Sequence, residues 1–233
     1  MTMRFLNPNA AVRVEHVGRE AQPVIVIDGL LAEPERWIAT AKAARFRPIG
    51  PHYPGIRSPV PAAPALALRN ELADLIETTF AVDPVPPLFE CYFSIVTTPP
   101  HALTPIQRLP HVDGVEPDRL AILVYLAGCE AGGTAFYRQR ATGLETIDKS
   151  RFPTFDAALH AGVVEHGLPG PAYIVGDTPL FEQVASIDAV PNRALIYRSH
   201  LLHCARIAPE TILPDDPLTG RLTVNAFLFE TTS

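Results

Sequence analysis

The sequence predicts an α+β protein, with helices first and a β-sandwich after them. Three observations predict it. Apolar residues recur at helical spacing only in about the first third of the chain. Beyond Phe80 the texture changes to short runs of aromatic and β-branched residues, the composition of strands. The 25 prolines and 14 glycines in 233 residues cut the chain into short elements joined by turns. Helices followed by short strands suit an α+β domain.

Pro23 to Leu31 (PVIVIDGLL) is a compact β-branched run, read as a strand. A helix follows in AEPERWIATAKAARF. Pro34 suits a first helical turn, and Glu33 and Glu35 suit the positive end of the helix dipole. Trp37, Ile38, Ala41 and Ala44 form its apolar stripe. RPIGPHYPGIRSPVPAAP is a proline-rich loop too long to be idle, and its Tyr53 and Arg57 are placed to fold over a pocket mouth as a lid. PALALRNELADLIETTF reads as a second amphipathic helix. Strands are then read in LFECYFSIVTTP, RLAILVYLA, GGTAFYRQR, RALIYRSHLLH and RLTVNAFLFE. Ala141 to Asp188 is expected to hold a helix or lid segment and connecting loops. There is no internal repeat, so residues 1–233 are read as one domain, mainly helical support over 1–87 and a β core over 88–233.

Composition narrows the function classes. Hydrophobic residues make up 47% and charged residues 19%, which favours a packed core over disorder. The formal net charge of -6 and the lack of any Lys/Arg run argue against a nucleic-acid partner. Cys91, Cys129 and Cys204 are odd in number, far apart and free of any CxxC, so reduced thiols are expected rather than a disulfide framework or zinc knuckle. The N-terminus shows no signal-peptide core, and no run approaches the ~20 apolar residues of a membrane helix. A cytoplasmic protein without a membrane partner is expected.

The chemistry begins at RLPHVDG. On an extended segment, residues two apart share a face, so His111 and Asp113 can reach one ion. Pro110 and Gly114 put them at a strand end or turn. Alone, the pair is more often a surface His beside a turn Asp. A second His shifts the balance. RALIYRSHLLH ends on His200 and His203, which face opposite ways if the strand is regular, so one of them joins the site. His203 follows two leucines on a strand that buries itself, and is preferred; His200 is the alternative. Two His and one carboxylate make the facial triad of non-heme Fe(II) oxygenases, which leaves coordination positions open. A carboxylate-bearing co-substrate in those positions needs a cation nearby. Arg221 opens RLTVNAFLFE with Thr223 two residues on, suited to bidentate carboxylate binding with a hydroxyl's help.

PHVDG, GGTAFY, the strand ending in LLH, and RLTVNAF fall in the order that resembles the 2-oxoglutarate- and Fe(II)-dependent dioxygenases. The resemblance is to their prolyl-hydroxylase-like and phytanoyl-hydroxylase-like branches, and to a bacterial group of oxygenase-like proteins. It spans roughly Leu88 to Glu230 and implies a double-stranded β-helix (jelly-roll, cupin-like) core with N-terminal supporting helices. It implies Fe(II) bound by His111, Asp113 and His203. It implies 2-oxoglutarate as co-substrate, its distal carboxylate on Arg221 and Thr223, with O2 consumed in hydroxylating an unactivated C–H bond. A tyrosine from an earlier strand often completes that pocket. Tyr125, mid-strand, is preferred to Tyr92, though either serves equally well as a core aromatic. Asn225 shares the face of Arg221 and Thr223, as a lining residue or a hydrogen-bonded structural one. Arg108 and Arg119, flanking the HxD motif, are read as surface salt-bridge formers before substrate ligands. The substrate is expected to be a small molecule or peptide, and the assembly a homodimer. The rival readings are a Zn-dependent hydrolase and a non-catalytic metal-binding jelly roll; the first leaves Arg221 and Thr223 without a task.

Overall fold

The computed structural model describes residues 5–128 and 132–230; Cys129 lies outside the described residues. Their elements run β1 (Ala11–Val17), β2 (Gln22–Asp28), α1 (Pro34–Ala43), β3 (Gly55–Pro59), α2 (Ala62–Glu71), α3 (Ala73–Phe80), β4 (Leu88–Val96), β5 (Leu120–Ala127), β6 (Gly132–Gln139), α4 (Phe152–His166), β7 (Phe181–Asp188), β8 (Arg193–Arg198), β9 (His203–Ile207) and β10 (Leu222–Leu228). They form two antiparallel sheets. The larger has seven strands in the order β1-β2-β8-β5-β10-β4-β3, and the smaller has three, β7-β6-β9.

The central strands of the larger sheet read as continuous apolar runs because both faces are covered. One face meets the helices: Ile25, Ile27, Phe93, Ile122 and Ile196 pack against Trp37, Leu68, Ile76 and Phe80. Trp37 meets Phe93 edge-on at 6.3 Å. The alternate residues, Val24, Val26, Leu123, Tyr125 and Leu195, meet Phe136 and Ile187 of the smaller sheet. Each fully buried Ile, Leu or Phe contributes about 1.5–3 kcal/mol, so both layers are held mainly by burial. Toward β10 and β4 the sheet facing becomes polar, with Thr223, Asn225 and Ser94 where apolar residues would otherwise close the sandwich. That is where the cavity opens.

Several expectations change here. The expected boundary at residue 87 is crossed by strand pairing, since β2 pairs with β8 and β3 with β4. The first 87 residues supply three strands as well as three helices. The expected second helix is two helices, α2 and α3, interrupted at Leu72 (φ -98°, ψ -2°). The 141–188 stretch holds a 15-residue helix, α4, and the strand β7. The expected single strand RALIYRSHLLH is also two. β8 ends at Arg198, a turn follows, and β9 starts at His203 in the other sheet. Neighbouring loops satisfy the turn's backbone: Asp113 N donates to Ser199 O (2.8 Å) and Ile147 N to His200 O (2.7 Å). Among the described residues, no helix is long and apolar enough to cross a membrane.

One buried charge ties three segments together. Glu145 is fully buried and accepts bonds from the backbone N–H groups of Arg19 and Glu20, both 2.9 Å, and from Arg138 Nε at 2.7 Å. Gly18, at φ +70°, lets the β1–β2 turn close onto that carboxylate, since a Cβ there would overlap it. The Glu145 carbonyl in turn accepts from Leu202 N (2.8 Å), next to His203.

Candidate metal centre

The site is assembled by backbone pairing. His111 and His203 exchange both hydrogen bonds, N–H to O at 2.9 Å each way, as an isolated bridge at the edge of the smaller sheet. Directly opposed residues of an antiparallel pair project to the same face. Their ring centroids are therefore 4.6 Å apart. Asp113, two residues beyond His111, is held by its own bond to Ser199 O and turns to the same face. Asp113 Oδ2 lies 3.3 Å from His203 Nε2, and Oδ1 lies 3.8 Å from His111 Nε2. One donor atom from each of the three residues lies within 4.8 Å of the others. Adjacent ligands of an octahedral ion with bonds of about 2.1 Å sit roughly 3 Å apart, so small side-chain adjustments close the set. Of the two candidates His200 and His203, the structure brings His203 to the other two. His200 lies in the turn, its Nδ1 buried without a partner.

The second nitrogen of His203 is also fixed. Nδ1 lies 2.8 Å from Leu201 O, which calls for the Nδ1–H tautomer and leaves the Nε2 lone pair toward the site. The Tyr197 ring packs against the imidazole at 4.8 Å between centroids. Burial disfavours the charged form of His203, but the Asp113 charge and hydrogen bond outweigh it and the net shift is upward. Burial would raise the Asp113 carboxyl, yet His203 prevails and the net shift is downward. Half of the His111 side chain faces the cavity. Even so, desolvation by the pocket walls, then the neighbouring His203, pushes its imidazole down to about 4. Asp113 Oδ2 and His203 Nε2 thus face one another at 3.3 Å, a contact that a divalent cation between them would replace.

A cavity of about 390 Å³ opens from these three residues, and Arg221, Thr223 and Asn225 line it with them. Arg221 is the residue just before β10, not its first. It is 6% exposed; its Nη2 donates to Gly133 O at 3.2 Å and its Nε has no partner. Thr223 Oγ1 meets Asn225 Oδ1 at 2.7 Å. Tyr125 does not line the cavity. It is fully buried, its hydroxyl 2.7 Å from Thr134 Oγ1, with the Arg221 guanidinium 5.4 Å from its ring. It backs the arginine instead. Tyr92 lies outside the lining as well, opposite Asn225 in the sheet.

Sequence reading passed over Ser94, Thr134, Tyr173 and Tyr197, all placed at or beside this cavity. The hydroxyls of Ser94 and Tyr53 are buried near one another, and neither meets a well-formed hydrogen bond. Ser94 carried a faint signal, a fully buried polar residue within an apolar strand. Tyr173 had none. Arg57 does not ride on a free loop; it sits on β3, opposite Ser94, with its guanidinium 4.0 Å from the Tyr53 ring. Arg108 and Arg119 both line the cavity; Arg119 also makes the expected ion pair, with half-exposed Glu116 at 3.6 Å, whereas Arg108 donates to Leu103 O instead.

Residues 8–228 match the family of unknown function DUF6445, and the chain belongs to that family. No curated protein matches the chain. Solved structures do. One is the non-heme α-ketoglutarate-dependent epimerase SnoN from nogalamycin biosynthesis, with TM-score 0.52 and 13% identity over 91% of this chain and 79% of that one. Another is HygX from Streptomyces hygroscopicus, solved with nickel, 2-oxoglutarate and hygromycin B bound. It gives TM-score 0.50 and 16% identity over 92% of this chain and 86% of that one. At these identities the likeness is one of fold, shared with a structure described as non-heme and α-ketoglutarate-dependent and with one solved with nickel and 2-oxoglutarate bound.

Proposed function

We propose that this DUF6445 member is an Fe(II)- and 2-oxoglutarate-dependent oxygenase that hydroxylates an unactivated C–H bond, using O2. Its two sheets are read as a double-stranded β-helix, acting as a single domain in the cytoplasm without nucleic acid or membrane. One observation carries the reading. A His-Asp-His face opens onto a cavity whose far wall holds a buried arginine with a bare Nε.

The residues fit the co-substrate as well as the metal. Unpartnered buried polar atoms are costly, about 1–3 kcal/mol each, and rarely kept without a use. Arg221 Nε, Tyr53 Oη and Ser94 Oγ are three such atoms lining or adjoining one cavity. A carboxylate accepts several hydrogen bonds and would satisfy a cation and hydroxyls together. His111, Asp113 and His203 would hold the metal, and Arg221, with Thr223, would hold the distal carboxylate of 2-oxoglutarate. The bound iron and 2-oxoglutarate would supply the oxidising chemistry. The chain supplies placement. Leu201 O fixes the His203 tautomer, Tyr197 packs against the ring, and Tyr125 backs Arg221. Asp113 would be the carboxylate ligand, and its presence at that position disfavours halogenation.

The test is anaerobic titration with Fe(II) and then 2-oxoglutarate, following the visible metal-to-ligand charge-transfer band. A band in the wild type, absent in His111→Ala and demanding far more 2-oxoglutarate in Arg221→Ala, supports the reading. Zn²⁺ binding without a band would move the protein to a Zn-dependent or non-catalytic metal-binding role.

A further inference from the structure

The cavity has two ends, and strand register separates them. Pairing across β3, β4, β10 and β5 aligns Arg57, Ser94, Thr223 and Tyr125 in one row, with Arg221 two residues before Thr223. That end is assigned above to the co-substrate. Four residues further along β10, about 13 Å by strand rise, a second row holds Glu90, Phe227, Ala121 and Tyr197. Directly opposed residues share a face of the sheet. The Tyr197 ring packs against the His203 imidazole at 4.8 Å, so the candidate metal ligands stand over this second row.

Two opposite charges flank Phe227 there. On one side Glu90 lines the cavity, and its carboxylate makes no hydrogen bond or ion pair among the described residues. On the other side Arg119 lines it too, its guanidinium 5.7 Å from the Phe227 ring centroid and 3.8 Å from that of Phe229. Backbone bonds tie Arg119 to the metal face. Ser199 N donates to Arg119 O at 2.9 Å, and Asp113 N donates to Ser199 O at 2.8 Å. The Arg119 side chain lies across Gly114, the residue after Asp113, where a Cβ would come to 2.8 Å from Nε. That Nε is buried without a partner. Glu116 is a loose counter-ion, 3.6 Å away and half exposed to screening solvent. A guanidinium held against an aromatic face keeps its donor edge free for an anion.

Glu90 and Arg119 do not pair with each other. They sit on either side of β10 and one row apart, so their backbones are separated by roughly 12 Å from strand spacing and rise. A charge in a partly desolvated cavity calls for a counter-ion. A plain anion on Arg119 would leave Glu90 unpaired, and a plain amine on Glu90 would leave Arg119 so. A ligand carrying both an ammonium and a carboxylate satisfies the two together, with the Phe227 ring as the floor between them. Ile106, Leu109 and Val112 line the same cavity of about 390 Å³, which has room for a small apolar body.

We propose that the substrate is a small zwitterion of the amino-acid class, its ammonium received by Glu90, its carboxylate by Arg119, and its apolar body lying along Phe227. This deepens the oxygenase reading and rests on it. The test uses matched probes on protein loaded with Ni(II), which does not turn over, and 2-oxoglutarate. L-phenylalanine is compared with 3-phenylpropionate, which lacks the ammonium, and with 2-phenylethylamine, which lacks the carboxylate. L-leucine is compared in the same way with 4-methylpentanoate and 3-methylbutylamine. Affinities are read by calorimetry or saturation-transfer NMR. At least one amino acid should bind about tenfold tighter than both of its analogues. Glu90→Gln should cut the margin over the acid below about threefold and keep the margin over the amine, and Arg119→Gln should do the reverse. A general folding defect would not give that crossed pattern, and 2-oxoglutarate affinity should stay within about twofold in both variants. An analogue binding as tightly as its amino acid, no amino acid binding at all, or margins that survive in both variants would overturn the proposal. So would loss of 2-oxoglutarate affinity in both variants, which would give these residues to the co-substrate. The same probes on metal-free protein separate the two levels. Amino-acid preference without any 2-oxoglutarate binding would keep the zwitterion site and sink the oxygenase reading.

Discussion

Replacing Glu145 by alanine removes a fully buried carboxylate that ties the β1–β2 turn to Arg138. Arg138 would keep only its 2.8 Å contact with Glu182, whose side chain is partly exposed. The N–H groups of Arg19 and Glu20 would lose their acceptor. Breaking a buried ion pair from one side costs about 3–5 kcal/mol, because the other charge stays buried. Two part-buried amides add about 1 kcal/mol each, and water entering the gap with the surviving Glu182 contact offsets part of the sum. The expected loss is about 4 kcal/mol. In a chain of this size each kcal/mol moves Tm by about 2–4 °C, so the drop should be about 8–16 °C. Glu145→Gln keeps the shape and one acceptor and should lose about half as much. Thermal and urea unfolding, followed by circular dichroism and fluorescence together, measure both variants. Because the Glu145 carbonyl holds Leu202 N beside His203, Co(II) affinity should fall with stability. An alanine variant within about 1 kcal/mol of wild type would refute the claim that this carboxylate carries a buried charge network.

Four further outcomes are expected. Metal binding must displace the proton that Asp113 helps His203 to hold, and a raised imidazole pKa means that proton is present at low pH; Co(II) affinity should fall as pH drops from about 8 to about 5.5, by more than in a site with an unshifted His. Asp28 is held below its ordinary value first by its bond to Arg193, so its stabilisation is present above an unfolded pKa near 3.8 and is lost as pH falls through the lower folded value; Arg193→Gln should flatten that acid limb in unfolding measured against pH. Tyr53→Phe removes an unpartnered buried hydroxyl, so Tm of the metal-free protein should hold or rise slightly, while the 2-oxoglutarate dissociation constant should increase about five- to tenfold. Gly18→Ala meets both a left-handed φ of +70° and the Glu145 carboxylate, and should cost about 1–3 kcal/mol of unfolding free energy.

Much of the candidate site was legible because its residue types are scarce in apolar strands. His111, Asp113 and Arg221 stand out against RLPHVDG and RLTVNAF without any fold. The strongest strands were legible for the same reason that they are central: β2, β5 and β8 are covered on both faces and so read as unbroken apolar runs. β1, β3 and β7 were not. β1 lies at the sheet edge with nearly all its residues exposed or half-buried, β3 at the other edge starts in a proline-rich loop, and β7 carries polar residues along its length. Edge strands bury little, and periodicity records burial.

The sequence by itself determined the residue types offered as candidate ligands, the helix after Pro34, the central strands β2, β5 and β8, and the pairing of a His-x-Asp with a later His and a later Arg. Only the tertiary structure decided which later His. His200 and His203 sit in one apolar run, and the turn between β8 and β9, stabilised by bonds to Asp113 and Ile147, carries His203 into the other sheet opposite His111. It also decided that Tyr125 supports Arg221 from behind and that Tyr53, Ser94, Arg57 and Arg119 border the cavity. Those four residues come from three separate segments, Tyr53 and Arg57 sharing one. Their shared environment is created by cross-strand register between distant stretches, a quantity that no local window of sequence contains.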